Sequence, residues 1–205
     1  MIPVKVLAVQ YLTAVTPEMS KALGTDAPCL GLLTTDSDDP TYIALDQATK
    51  DAQVTVSYGR SFYAGAGNST TPYAGEVIGI LAGPTPGSVR SGMESALSEL
   101  QRVGFEEVSG VPCLAHTVSR CGSFLSKEAG VPEGSAIAYL IAPPLESMVA
   151  MDAALKAADV KLCKLYIPPT ETNFGGGLLT GTQSACTAAC AAFREAVEKI
   201  ARNPK

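Results

Sequence analysis

Hydrophobic and polar residues are patterned along the chain in the two ways that distinguish strands from helices. Short apolar runs, bounded by polar or glycine-rich segments, predict strands. These runs lie at residues 4–12, 30–35, 54–58 and 76–82, and again at 114–120, 136–142 and 160–167. Short helical pieces are predicted at residues 17–23 and 125–129. The predicted order of elements is therefore similar in the two halves of the chain.

A longer helix is predicted near the end of each half, from apolar residues at helical spacing. The first follows the turn at residues 84–87 and has the apolar face Val89, Gly92, Met93, Ala96, Leu97 and Leu100. The second ends the chain and has the apolar face Ala189, Ala192, Phe193, Ala196, Val197 and Ile200. Each face is wide enough to cover a sheet.

One helical stretch occurs twice. Residues 44–54, ALDQATKDAQV, match residues 150–160, AMDAALKAADV, at six of eleven positions. In the first copy Ala44, Ala48 and Ala52 form a stripe of small side chains, which lets a helix lie close to a sheet. A repeated unit of this size predicts an α+β protein of two αβ sandwiches in tandem, related by a pseudo-two-fold axis or as a fraction of a ring. The predicted domains are residues 1–104 and 105–205, with a linker at 103–112.

Composition and charge exclude several classes of function. The formal net charge of −5 gives no basic surface for nucleic acid or for an anionic membrane. No apolar run reaches the roughly 18 residues of a membrane-spanning helix. The N-terminal sequence also lacks the long apolar core of a signal peptide, so we expect a cytoplasmic protein.

Catalytic and metal-binding signatures are weak. Six cysteines occur without a CxxC pair, and we expect small buried thiols; metal chelation by Cys186 and Cys190, one helical turn apart, is the lesser alternative. The single histidine, His116, lies inside a strand-like run, where a structural role is more common than catalysis. The glycines near residue 65 do not complete a dinucleotide fingerprint. We therefore expect a protein that is not an enzyme and has no metal site.

Acidic residues and glycine-rich loops are the remaining candidates for function. The acidic residues stand at the starts of loops, strands and helices: Asp36, Asp38, Asp39, Glu76, Glu146 and Glu171. Helix capping accounts for one or two of them, but three carboxylates within four residues exceed what a cap uses. If several chains bring these loops together, the carboxylates attract small cations. The two predicted loops, at residues 59–75 and 168–177, are either ordinary surface loops or a mobile rim, since glycine eases backbone movement.

Long stretches across nearly the whole chain resemble a known family, the tandem-domain shell proteins of the ethanolamine-utilisation bacterial microcompartment. The stretches that carry the resemblance are DSDDPTYIALDQATKDAQV, YGRSFYAGA, TPYAGEV, AHTVSRCGSFLS, AIAYLIAPPLES, DAALKAADV and LTGTQSACTAACAAF. The resemblance implies two permuted microcompartment αβ domains per chain. It also implies a homotrimer that imitates a hexamer (a pseudohexamer) and tiles, with other shell proteins, into a flat sheet.

The resemblance further implies two kinds of pore. Small acidic pores at the junction of the two domains are expected to take up ethanolamine. The residues that match are Asp38, Asp39, Glu76 and Glu146, with Phe105 as a less specific match. A central pore is expected to be gated by the glycine-rich loops. The gate residues that match are Tyr63, Gly65, Gly67 and Asn68 in the first domain and Asn173, Phe174, Gly175 and Gly176 in the second.

The resulting interpretation is a non-catalytic shell trimer that controls the passage of metabolites into a compartment for ethanolamine catabolism. No resident cofactor is expected, although a contact between cobalamin and the gate is a hypothesis, because the enclosed lyase uses that cofactor. Two alternatives are a stand-alone module that binds or senses ethanolamine, and an enzyme with an acidic active site.

Overall fold

The chain divides into two compact units. The computed structural model describes residues 1–62, 76–168 and 170–205. The N-terminal unit contains Pro3–Val103 and Gly122–Leu125, and the C-terminal unit contains Met1–Ile2, Gly104–Cys121 and Ser126–Lys205. The proposed domain limits at residues 104 and 105 stay a prediction.

The N-terminal unit is an antiparallel sheet covered by two long helices. Its elements are β1 (Val6–Leu12), α1 (Pro17–Ala22), β2 (Cys29–Thr35), α2 (Asp38–Asp51), β3 (Thr55–Phe62), β4 (Glu76–Gly83) and α3 (Pro86–Glu99). The strand order is β1-β2-β4-β3, and each neighbouring pair is antiparallel. Helices α2 and α3 contact each other and the sheet.

Small residues let α2 lie close to the sheet, as the alanine stripe predicts. Ala44 and Ala48 are fully buried, together with the neighbouring Leu45. On the facing strand β4, a Cβ atom at Gly79 would lie 2.5 Å from Cδ1 of Leu45. The side chain of Leu45 therefore occupies the space that any larger residue at position 79 would need.

The C-terminal unit repeats the same plan with one added strand. Its elements are β5 (Glu106–Val108), β6 (Val111–Val118), α4 (Ser123–Ala129), β7 (Ala136–Ala142), α5 (Pro144–Ala157), β8 (Val160–Tyr166), β9 (Gly175–Gly181) and α6 (Gln183–Arg202). The first residues of α4 are grouped with the N-terminal unit. The strand order β5-β6-β7-β9-β8 is antiparallel throughout.

The duplication is visible in the details of both units. Helices α2 and α5 each have 14 residues, and α5 begins 106 positions after α2. The strands that follow them each contain a register irregularity, at Ser57 in β3 and at Cys163 in β8, again 106 positions apart. The prediction of two αβ sandwiches in tandem is confirmed.

Two local predictions are wrong. The sequence analysis predicts a loop at residues 168–177 with the final helix directly after it. In the structure the strand β9 begins at Gly175 and separates the loop from the helix. The predicted linker at residues 103–112 contains β5 and the start of β6. At Gly176, where φ is 146°, a Cβ would lie 1.9 Å from the carbonyl oxygen of Leu140. Glycine is therefore needed here because the neighbouring strand lies very close, and not because the chain turns.

Candidate acidic binding site

The turn between β2 and α2 is fixed by a buried hydroxyl network. The hydroxyl oxygens of Thr35 and Thr41 lie 2.7 Å apart, and they lie 3.0 and 2.7 Å from the carbonyl oxygen of Ser37. Thr35 Oγ1 also accepts a hydrogen bond from the backbone N–H of Ser37, at 3.3 Å. Ser37 is the residue before α2, and its own side chain does not cap the helix. The network therefore sets the direction in which the first residues of α2 leave the sheet.

The first two residues of α2 are acidic, and both are buried. Asp38 is 4% exposed and Asp39 is 7% exposed. The backbone N–H of Asp39 donates to Oδ1 of Asp38 at 2.9 Å, and the two side chains are hydrogen bonded to each other. A third hydrogen bond joins Asp38 to the side chain of Ser61 in β3. Two adjacent carboxyl groups are therefore buried side by side in the N-terminal unit.

Burial dominates the electrostatics of Asp38. Loss of hydration disfavours the charged carboxylate, and the hydrogen bonds from Asp39 and Ser61 oppose this effect only in part. The outcome is a pKa of about 6 for Asp38, well above the ordinary value for an aspartate. Carboxyl groups with raised pKa values occur preferentially at functional sites.

Tyr42, one turn along α2, lies close to the acidic pair and to Ser61. Burial raises the pKa of its phenol, a hydrogen bond with Ser61 lowers it, and the nearby charges of Asp38 and Asp39 raise it further. The phenol is therefore neutral over the whole physiological range. The Tyr42 ring also lies next to Phe124, with the ring centroids 6.0 Å apart.

Glu76 and Asp36 are the other two acidic residues of the N-terminal unit that the sequence analysis named as candidates. Glu76 is half-buried at the start of β4, where it is paired with Phe62, the residue after Ser61. Backbone pairing thus places Glu76 at the same end of the β3–β4 pair as Ser61. Asp36 has a structural partner, since it accepts the backbone N–H of Lys5 at 2.8 Å.

The remaining predicted pore residues belong to the C-terminal unit. Glu146 is half-buried in the first turn of α5. Phe105 is 3% exposed, and its ring centroid lies 5.7 Å from that of Phe174. Phe105 is therefore part of a packed aromatic pair in this unit. The pore roles of Glu146 and Phe105 stay predictions.

The predicted gate residues are only partly described. Tyr63, Gly65, Gly67 and Asn68 lie outside the described residues. Asn173 adopts a positive φ of 63°, and the carbonyl oxygen of Phe174 accepts a hydrogen bond from Thr170 Oγ1 at 2.9 Å. Gly175 and Gly176 are buried residues of β9. A gating role for any of these residues stays a prediction.

The cysteines are free, and most of them are buried thiols. Burial raises the pKa of Cys190 to about 11 and that of Cys113 to about 12, and it also raises the pKa of Cys186. A thiolate is the form that binds metal, so burial opposes the chelation hypothesis for Cys186 and Cys190. Within the described part of the chain, no cluster of three histidine, cysteine or acidic residues has a geometry suited to a metal ion.

Sequence reasoning missed the hydroxyl groups of the acidic pocket. Tyr42 follows Asp38 at the i, i+4 spacing, so a helical wheel would have placed both on one face of α2. Ser61 comes from a strand whose position depends on the order of the sheet. That order was not predictable from local pattern.

Comparisons with known proteins fit this fold. A model of the BMC domain matches residues 29–112. A crystal structure of EutL from Clostridium perfringens superposes with a TM-score of 0.93 at 57% identity, covering 99% of this chain and 95% of the other. The trimeric bacterial microcompartment shell protein PduB, at 20% identity, shares the fold with a TM-score of 0.80, over 94% of this chain and 87% of its own. The class is therefore a BMC-domain shell protein with two αβ units in one chain.

Sequence relatives make the assignment more specific. The bacterial microcompartment shell protein EutL of Clostridium perfringens (strain 13 / Type A) is 58% identical, over 97% of this chain and 94% of the relative. EutL of Escherichia coli (strain K12) is 51% identical, over 85% of this chain and 82% of the relative. The chain belongs to the EutL family of bacterial microcompartment shell proteins.

Membership of this family settles the broad role of the chain. It is a structural component of a microcompartment shell and not an enzyme, so the predictions of family, class and location in a shell are confirmed. Across residues 1–62, 76–168 and 170–205, none of the helices combines the length and the apolar character that a membrane crossing requires.

Proposed function

We propose that the chain forms a homotrimer in the shell of an ethanolamine-utilisation microcompartment, and that the pocket of Asp38 and Asp39 binds ethanolamine. The shell role follows from the family, whereas the trimer, the pores and the ligand are parts of the proposal. The observation that carries the ligand assignment is the buried pair of carboxyl groups at the start of α2.

The chemistry of the pocket suits ethanolamine. At neutral pH ethanolamine carries an ammonium group with three N–H donors and a hydroxyl group that both donates and accepts. Carboxylates of Asp38 and Asp39 make charge-assisted hydrogen bonds to an ammonium ion. The hydroxyl groups of Ser61 and Tyr42 are suited to the ligand hydroxyl. Glu76, at the same end of the β3–β4 pair, adds a third negative charge to the approach.

The duplication supports a trimer with two kinds of position. In the second copy, 106 positions later, Pro144 and Leu145 stand where the first copy has Asp38 and Asp39. A ring of three such chains has six similar units, as in a hexamer, but only three acidic pairs. A chain of this kind separates ligand binding from the positions that only build the shell.

The central gate and the contact with cobalamin remain further parts of the proposal. They are supported by the glycine-rich composition of the two loop sequences that follow β3 and β8. Asn173, with its positive φ, and the glycines at 175 and 176 stand at the end of the second loop. Calorimetry with cobalamin tests the cobalamin contact alone, and absence of heat at high concentration would remove that contact from the proposal.

Calorimetric titration with ethanolamine tests the ligand assignment. We expect Asp38→Asn and Asp39→Asn each to weaken binding at least tenfold, because each removes a charge-assisted partner. Asp152→Asn, in the second copy, is the matched control and should bind like the wild type, since its side chain is 64% exposed in an ion pair with Lys156. Glu146→Gln, measured separately, tests the predicted pore role of that residue.

Native mass spectrometry and electron microscopy test the assembly. Trimers that form ordered two-dimensional sheets are expected, and the aspartate variants should assemble as the wild type does. A wild-type protein that binds ethanolamine as a lone monomer would instead favour the stand-alone sensing module.

A further inference from the structure

We propose that, at mildly acidic pH, the Asp38–Asp39 pair holds one proton while the pocket is empty and releases it when an organic ammonium ion binds. This inference deepens the ligand assignment above and rests on it for the binding step. It adds a form of regulation: the occupancy of the pocket depends on pH as well as on the concentration of the ligand.

The burial and contact of the two carboxyl groups favour a shared proton. The two carboxyl groups are on consecutive residues, both nine-tenths or more buried, and their side chains are hydrogen bonded to each other. Ionised carboxylates are acceptors only, so a hydrogen bond between two carboxyl groups needs a proton on one of them. Two neighbouring negative charges that are buried away from water also repel each other strongly. A shared proton removes both difficulties.

The other hydrogen-bond donors near Asp38 do not replace the shared proton. The backbone N–H of Asp39 occupies Oδ1 of Asp38 at 2.9 Å, and Ser61 supplies one further hydrogen bond. Burial outweighs these contacts in setting the pKa of Asp38, which is about 6. Among the residues that the structure describes, the ionisable groups that interact with Asp38 are Asp39 and Tyr42 on α2, while the strand β3 contributes the neutral Ser61. Tyr42 stays protonated, so it adds no charge of its own.

The exchange is balanced in charge and atoms. An ammonium N–H replaces the carboxyl O–H as the donor between the two side chains. The carboxyl O–H bond breaks, and its proton leaves to the solvent or buffer. The pocket then contains two carboxylates and one ammonium ion, so its net charge of −1 is the same before and after binding.

This exchange sets a definite pH dependence. Well above the pKa of Asp38 this proton has already left before binding, so the affinity for an organic ammonium ion no longer depends on it. Below the pKa of Asp38 the ligand competes with the proton, and the affinity falls about tenfold for each pH unit. A compartment whose interior becomes acidic would therefore empty the pocket.

Infrared difference spectroscopy of the ligand-free protein tests the proton directly. The C=O stretch of a protonated, buried carboxyl group should appear as the pH falls through about 6, and Asp38→Asn should remove this transition. Asp152→Asn should leave it unchanged, because that side chain is on the surface. A wild-type protein with no protonated carboxyl signal at pH 5 would overturn the inference, whatever its affinity for ethanolamine.

Calorimetry in two buffers of different ionisation enthalpy tests the exchange. Ethanolamine binding at pH 5 should release nearly one proton, at pH 6 about half a proton, and at pH 8 almost none. Heats that do not depend on the buffer at pH 5 would refute proton release while leaving the ligand assignment intact. Absence of ethanolamine binding at every pH would overturn the ligand assignment and the exchange, and the infrared result would still decide whether the pair holds a proton.

Discussion

The fully buried carboxylate of Asp46 accepts the backbone N–H of Gly122 at 2.7 Å, across 76 positions of sequence. Its other oxygen accepts the backbone N–H of Leu125 at 2.8 Å, and Thr49 Oγ1 accepts the N–H of Ser123 at 3.1 Å. Helix α2 thus holds residues 122–125 by their backbone amides. These amides belong to the start of α4, where helical N–H groups have no partner within the helix.

We expect Asp46→Ala to lower the free energy of unfolding by about 3 kcal/mol, because two buried N–H groups lose a charged acceptor. The matched control is Asp152→Ala, at the same repeat position on α5. Asp152 is mostly exposed and forms an ion pair with Lys156 on the surface, so the change should stay within about 0.5 kcal/mol. Urea denaturation of both variants gives the comparison, and equal losses would contradict the role of Asp46.

Gly122→Ala should destabilise the N-terminal unit by a comparable amount. A Cβ at this position would lie 2.2 Å from Thr49 Oγ1 and 2.7 Å from the carbonyl oxygen of Asp46, so the backbone must move away from α2. Gly87→Ala is the control, because its Cβ would have only Thr85 Oγ1 nearby, at 3.8 Å. Thermal unfolding should show a clear loss for the first variant and little change for the second.

Ala48→Leu should cost about 1 to 3 kcal/mol of stability through overpacking. Ala48 has no exposed surface and belongs to the core cluster with Leu45 and Leu81. Ala191→Leu, at an exposed position of α6, is the control and should be nearly neutral. If Ala48→Leu were tolerated as well as Ala191→Leu, the close approach of α2 to the sheet would be in doubt.

Asp38 should make stability fall as the pH rises. Its pKa is about 6 in the folded chain, above the ordinary value of 3.8, so the folded state binds more protons between these two values. Stability from this group is therefore fully present below about pH 4 and is lost as the pH rises through 6. Asp38→Asn should be more stable than the wild type at pH 7.5, by up to about 2–3 kcal/mol. Urea midpoints at pH 4 and 7.5 measure the difference, which should disappear at the lower pH.

Ser61→Ala should shift the midpoint of the pH dependence of ethanolamine binding to higher pH. The hydrogen bond from Ser61 lowers the pKa of Asp38, so its loss raises that pKa further above 6 and strengthens competition by the proton. Ser57→Ala is the control on the same strand, because Ser57 donates to the carbonyl oxygen of Ile80 and not to the acidic pair. A midpoint that stays in place in Ser61→Ala would exclude Ser61 as a partner of Asp38.

The sequence predicted what depends on local pattern. The repeat, its alanine stripe and most strands were found because burial on one face leaves a periodic signal. The Asp46–Lys50 and Asp152–Lys156 pairs are identical in sequence spacing, yet only Asp46 is buried against distant backbone amides. That difference arises from the tertiary position of residues 122–125, which no local pattern contains.

The strand β9 was missed for a related reason. It begins with three consecutive glycines, which resemble a flexible loop, since glycine has weak strand propensity. In the structure a Cβ at Gly177 would lie 2.2 Å from the carbonyl oxygen of Lys164, so the residue is required by its neighbours on β8. The acidic pair was found from composition, but its hydroxyl partner Ser61 was not, because that contact depends on the strand order.

The irregularities at Ser57 and Cys163 also bear on what the two units have in common. In both strands one residue is skipped at the same repeat position, although the surrounding sequences, TVSYGRSF and VKLCKLY, have diverged. Bulges are retained within families as features of the backbone. The two copies therefore keep the same backbone irregularity, while they differ in side-chain chemistry at the start of the preceding helix, where Asp38–Asp39 in one unit corresponds to Pro144–Leu145 in the other. The shared backbone tolerates two different chemistries at the same helix start.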